Sequence, residues 1–225
     1  MRIWGGVAGA VVVGAAVVTL SGAVLSVTNS PQHLLKAEVR GYAQTSVGRL
    51  PHAYLSLSTY PDSLAGEHGA GGGAHPDWVS YGPSTNLQVP AHALVTVTIR
   101  QYDTGGSIDN SYFAHVHGTL GGTETVNGKT VTGINPGTVA HTFTVHMFPV
   151  NQPSVFISVP LPGVAATAPA LANGYPKPNI VTFSFITGAP GRYVWNCEYP
   201  CGGYYRGFGG AMATQGYMAG TLTVG

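Results

Sequence analysis

Three side chains with soft or borderline lone pairs, His141, Cys197 and Met218, stand at the ends of three strand-like segments in the second half of a 225-residue chain. Side chains on a strand alternate with period two, so their directions can be read from their neighbours. His141 is in phase with Phe143 and Val145, Cys197 with Tyr193 and Trp195, and Met218 with Gly220, Leu222 and Val224. All three therefore point to the apolar side, whereas His146, in phase with Thr142 and Thr144, points outward. Singly, each is an ordinary core residue. Together, an imidazole, a thiolate and a thioether form a donor set for a soft metal ion. Cys201 follows Cys197 by four residues on a turn sharpened by Pro200 and Gly202, and offers either a second thiolate or a disulfide partner.

Positioning such groups requires rigid strands, and the composition agrees. Charged residues make up 8% of the chain, and it carries 33 Gly and 16 Pro, which excludes a coiled coil or helical bundle. Hydrophobic residues reach 44% and recur in strand-length alternation, which excludes disorder. Strands are predicted over 94–102, 111–117, 124–132 folded about Asn127-Gly128, 139–148, 155–159, 180–187, 192–197 and 217–224, with turn residues between them. Eight short strands without a helix predict an all-β sandwich or barrel over residues 89–225. Residues 30–88 hold a Gly-rich stretch from Gly66 to Pro76 and read as an irregular extension or tether.

Ile3 to Val27 carries no charge and follows Met1-Arg2. At about 1.5 Å per residue it is long enough to cross a hydrocarbon core of roughly 30 Å. Residues 1–29 are therefore expected to form a single-pass transmembrane helix, with the rest of the chain on the extracytoplasmic side of the cell membrane. The alternative is a signal segment cleaved near Ser21-Gly22-Ala23, leaving a secreted protein. No run of Lys or Arg is present and the net charge is +1, which sets nucleic acid aside as a partner. Nine histidines against eight carboxylates suit an acidic exterior.

Three segments carry a family resemblance. They are Gly137-Thr-Val-Ala-His141-Thr-Phe143, then Arg192-Tyr193-Val-Trp195-Asn-Cys197-Glu-Tyr-Pro200, then Met218-Ala-Gly220-Thr-Leu222. In this order the chain, over roughly residues 90–225, resembles the cupredoxin family of copper proteins, which implies a Greek-key β-sandwich and electron transfer through copper. His141, Cys197 and Met218 fall on the family's ligand positions. The family's second histidine, between its Cys and Met, has no counterpart here. Cys197-Glu-Tyr-Pro-Cys201-Gly202 resembles instead the dinuclear copper A motif of cytochrome oxidase subunit II, with Tyr199 where that motif has Glu and Gln215 where it has His. The resemblance thus implies an atypical copper site of His141, Cys197, Cys201 and Met218. It also implies a redox partner protein or the subunits of a respiratory complex as partners.

Two other readings stay open. One is a metal-free structural subunit of a respiratory complex with Cys197 and Cys201 joined as a disulfide, the usual fate of exported thiols. The other is a metalloenzyme built on His115 and His117, an H-x-H pair on one strand face. No Ser-His-Asp set, carboxylate pair or phosphate loop points to independent catalysis. The segment from Gly202 to Gly216, with Tyr204, Tyr205, Arg206 and Phe208, is expected to form a partner surface.

Overall fold

Thirteen strands account for nearly all regular structure in the computed structural model, which describes residues 33–62, 75–105, 108, 110–147, 155–201 and 209–225. They are β1 (Leu35–Lys36), β2 (Glu38–Thr45), β3 (Gly48–Tyr60), β4 (Ser80–Gly82), β5 (Asn86–Val89), β6 (Leu94–Gln101), β7 (Glu124–Val126), β8 (Lys129–Val131), β9 (Val139–Met147), β10 (Val155–Pro162), β11 (Asn179–Ile186), β12 (Gly191–Asn196) and β13 (Ala219–Val224). One sheet runs β1-β5-β13-β12-β9-β10 and the other β2-β3-β6-β11-β7-β8, with β4 paired to β3. Only three short 3-10 turns interrupt this all-β architecture among the described residues. Those residues contain no helix long and apolar enough to cross a membrane, and the apolar run Ile3–Val27 lies outside them.

Alternation dictates the core. On β3, Ala53, Leu55 and Leu57 are buried while the residues between them are less so, and β6 repeats the pattern with Val95, Val97 and Ile99. Phe143 of β9 meets Phe183 of β11 across the two sheets with ring centres 5.6 Å apart. Trp195 of β12 packs on Phe143 at 4.9 Å and edge-on to Tyr81 at 4.8 Å. Its indole nitrogen donates to the carbonyl of Thr85 at 3.0 Å, which satisfies a polar group in a fully buried ring. The sheets thus form a sandwich around one aromatic and aliphatic core.

Two expectations require correction. Residues 35–60 are not an irregular extension, because β1, β2 and β3 join both sheets and β3 runs parallel to β6 from His52 to Thr59. The compact unit accordingly spans residues 32–225. Residues 111–117 do not form a full strand either. His115 and His117 make isolated bridges to Gly133 and Ser158, so this segment runs beside the edge strand β10 at a single point. The 124–132 hairpin forms as read, with positive φ at Asn127 and Gly128, the pairing that a two-residue turn requires.

Gly220 explains part of the last strand's pattern. It pairs with Trp195, and a Cβ there would collide with the carbonyl of Thr85, already fixed by Trp195 and by the amide of Thr221. Gly220→Ala is therefore expected to destabilise the domain by about 3 kcal/mol, a fall of roughly 10 °C in the midpoint of thermal unfolding. An unchanged midpoint would show that the backbone shifts freely here.

Candidate metal centre

The local sequence delivers four groups to one end of the sandwich. His141 is the third residue of β9 on its core-facing side, Cys197 follows directly on β12, Cys201 lies four residues on, and Met218 precedes β13. The amide of Cys197 donates to the carbonyl of Met218 at 2.9 Å, so the β12–β13 ladder continues one pair beyond Asn196↔Ala219 and places these two backbones side by side. Met218 is fully buried, and its own amide donates to Ala211 at 3.0 Å.

Nδ1 of His141 is 3.7 Å from the sulfur of Cys197, and this nitrogen and the sulfurs of Cys197 and Cys201 all lie within 4.8 Å of one another. The two cysteines are free thiols, buried with His141 at 0–6% exposure. Strand phase thus foresaw the meeting of His141 with Cys197. Cys201 arrives because the chain bends at Tyr199, whose amide and carbonyl both lie 3.4 Å from the sulfur of Cys197.

Sequence reasoning missed Asp103. It lies two residues past β6, and its Oδ2 accepts from Nε2 of His141 at 2.8 Å with the carboxylate only 15% exposed. A lone carboxylate after a strand has no periodicity to reveal it. The one available signal was scarcity, since the chain has just eight acidic residues. Its effect is to fix the imidazole with Nε2 protonated, which aims Nδ1 at the two sulfurs.

The charges are strongly coupled. Burial alone would lower the pKa of His141, but hydrogen bonds to Asp103 and Cys197, with the charge on each, outweigh it and push the value up to about 9. Burial would raise the Cys197 thiol, yet hydrogen bonds from Cys201 and His141 and the positive imidazole hold it well below the ordinary thiol range. Cys201 moves up, first because it donates to Cys197 and then because it is buried. Asp103 would be raised by burial but is lowered by its hydrogen bond to His141, by the imidazole charge and by the Gly105 and Thr104 amides. Asp103, His141, Cys197 and Cys201 thus form one hydrogen-bonded chain in which Cys201 donates to Cys197.

This chemistry fits a soft metal. Two sulfurs and an imidazole nitrogen, close together and closed to water, form a set that favours copper or zinc over magnesium or calcium. The same chain of Asp103, His141 and Cys197 has the order of an activated thiol nucleophile. Full burial of Cys197 denies it a substrate. Asp103→Ala is expected to weaken metal affinity about 10–100-fold, with Asp103→Asn restoring most of it because the amide oxygen still accepts from Nε2. Equal affinities for both variants and the parent, measured by competition with a chelator, would show that the carboxylate does not orient the ring.

The other candidates do not gather. His115 is bonded through Nδ1 to the carbonyl of Ser111 at 2.7 Å and His117 through Nε2 to that of Tyr112 at 2.9 Å, so each spends a ring N–H on the main chain. Neither belongs to a group of metal-ligating side chains among the described residues. Tyr204, Tyr205, Arg206 and Phe208 lie outside the described residues. The end of that segment is not a free surface, since Ala211 and Met212 are buried in the core.

No known family model matches the chain, and no curated protein matches it either. Among solved structures, it is similar to auracyanin B at 14% identity, with 84% of this chain and 97% of that chain covered and a TM-score of 0.35. It is also similar to a multicopper oxidase at 10% identity, with 77% of this chain and 44% of that chain covered and a TM-score of 0.28.

Proposed function

We propose that this chain is an extracytoplasmic electron-transfer protein of cupredoxin type, anchored by its N-terminal apolar run, that holds copper through His141, Cys197, Cys201 and Met218. The observation that carries the reading is the buried triangle of His141 Nδ1 and the two cysteine sulfurs. Copper in such a set supplies a one-electron couple. The chain's own contribution is rigidity: His141, Cys197 and Met218 sit on or beside paired strands, and Asp103 locks the tautomer of His141, so these donors barely move when charge changes. Cys197 and His141 are buried at 0% and 1% exposure, so the site is closed to bulk water.

A single copper suits this donor set better than a dinuclear pair. Two coppers bridged by two thiolates call for an imidazole each, and His141 is the one imidazole in the group. The partner would be a redox protein or a respiratory complex, with a terminal oxidase as one form of it.

Copper quantification together with an absorption spectrum of the full chain tests the proposal. About one copper per chain with a thiolate-to-copper charge-transfer band supports it. Tight zinc binding with no uptake of copper would move the site to a structural role, and a persistent two-hydrogen mass deficit would favour the disulfide-linked scaffold.

A further inference from the structure

Two polar side chains stand where strand alternation calls for apolar ones. Gln101 closes β6 in phase with Val95, Val97 and Ile99, and Thr59 stands on β3 in phase with Leu55 and Leu57, so both point into the core. The two are paired in register and neither has any exposed surface. Burying an amide and a hydroxyl carries a desolvation cost that an aliphatic pair would not. A break of this kind in an apolar stripe points to use rather than to packing.

What the pair holds is the main chain of Asp103. The Thr59 hydroxyl donates to Oε1 of Gln101, and Nε2 of Gln101 donates to the carbonyl of Asp103 at 3.3 Å. The amide of Val164 donates to the same carbonyl at 3.0 Å, so both of its lone pairs are used. Reversing the Gln101 amide would set Oε1 against a carbonyl oxygen, which fixes its orientation. The amide of Tyr102 donates to the carbonyl of Thr59 at 2.9 Å, which secures the backbone between Gln101 and Asp103. Beyond Asp103 the turn lies against β9. Gly105 has φ 62°, and a Cβ there would collide with the side chain of Ala140, the neighbour of His141. With its backbone gripped on both sides, Asp103 holds its carboxylate 2.8 Å from Nε2 of His141.

We infer that Gln101, itself held by Thr59, is a positioning residue for the metal centre. It clamps the Asp103 carbonyl, and through Asp103 it keeps the imidazole of His141 aimed at the two cysteine sulfurs. Its use for the metal rests on the copper reading proposed above, whereas the clamp belongs to the metal-free chain.

Exchange of the His141 Nε2 proton with water, followed by nitrogen-edited NMR of the metal-free chain, tests the clamp. Thr59→Val with Gln101→Met replaces the pair by apolar side chains of similar shape, so the thermal midpoint should stay close to the parent's. The proton is nevertheless expected to exchange about two- to tenfold faster, the range that one neutral hydrogen bond spans, and Cu(I) affinity, measured by competition with a chelator, to fall by a similar factor. Thr59→Val alone should move both readouts in the same direction, and Thr59→Ser, which keeps the hydroxyl, should restore them. Parent-like exchange in the double variant overturns the inference, as does faster exchange with unchanged Cu(I) affinity. An effect of Thr59→Ser equal to that of Thr59→Val also overturns it, since it would mark a packing effect. If the double variant does not fold, the comparison of Thr59→Val with Thr59→Ser decides. A parent chain that takes up no copper refutes the proposed function instead, and proton exchange then decides the clamp by itself.

Discussion

Cys197→Ser should abolish copper retention, lowering affinity by more than the ~10–100-fold expected from losing the hydrogen-bonded support of Asp103. The reason is position: the Cys197 sulfur is the centre of the cluster, 3.7 Å from His141 Nδ1 and hydrogen-bonded by Cys201. Removing it leaves one imidazole, one thiol and the Met218 thioether, with the donor common to the hydrogen bonds of the cluster gone. Cys201→Ser should retain copper but move the absorption band, because a second thiolate adds negative charge that favours Cu(II) and lowers the potential. Copper content and spectra of the two variants, compared with the parent, check both statements. If Cys201→Ser leaves the spectrum unchanged, the site has one thiolate ligand and Cys201 serves only as a hydrogen-bond donor. If Cys197→Ser keeps a full copper complement, the metal lies elsewhere and the proposed function fails.

Glu124 is expected to make the fold acid-loving. Its side chain opens β7 at 1% exposure, and neither carboxylate oxygen has a hydrogen-bond partner among the described residues. Desolvation raises its pKa to about 8 from 4.5. The folded value lies above the unfolded one, so the fold binds a proton that the unfolded chain releases. Stability from this group is then complete below pH 4.5 and is lost as pH rises through 8, by at most about 5 kcal/mol. Glu124→Gln removes the titration. Denaturant unfolding from pH 4 to 8 should show the parent weakening toward pH 8 while the variant stays nearly level, so that the variant is the more stable protein at the alkaline end. Parallel curves would mean that the carboxylate is solvated or paired in solution. The expected direction agrees with a carboxylate-poor exterior suited to acid.

Much of the site was legible because strand phase is local. Whether His141, Cys197 and Met218 face inward depends only on residues two positions away, and the chain supplies Phe143, Val145, Tyr193, Trp195, Leu222 and Val224 at those positions. The turn at Asn127-Gly128 is local in the same sense, since two residues of positive φ define it. The alternation Ala53, Leu55, Leu57 was equally available, yet the Ser and Thr at 56, 58 and 59 and the Gly-rich stretch that follows made the segment read as a tether.

What the tertiary structure decided involves segments far apart in the chain. Asp103 reaches His141 across 38 residues, and its meaning exists only once β6 and β9 stand in facing sheets. Glu124 looks like a solvated strand end until the sandwich closes over it and buries its carboxylate without a partner among the described residues. That β3 outruns β6, so that Gly48–Pro51 has β2 as its partner among the described residues, depends on where β6 ends. Period-two direction is a property of one backbone, so the sequence by itself determined which side chains face the interior. Burial, proton sharing and exposure depend on which backbones meet, and the fold alone decided them.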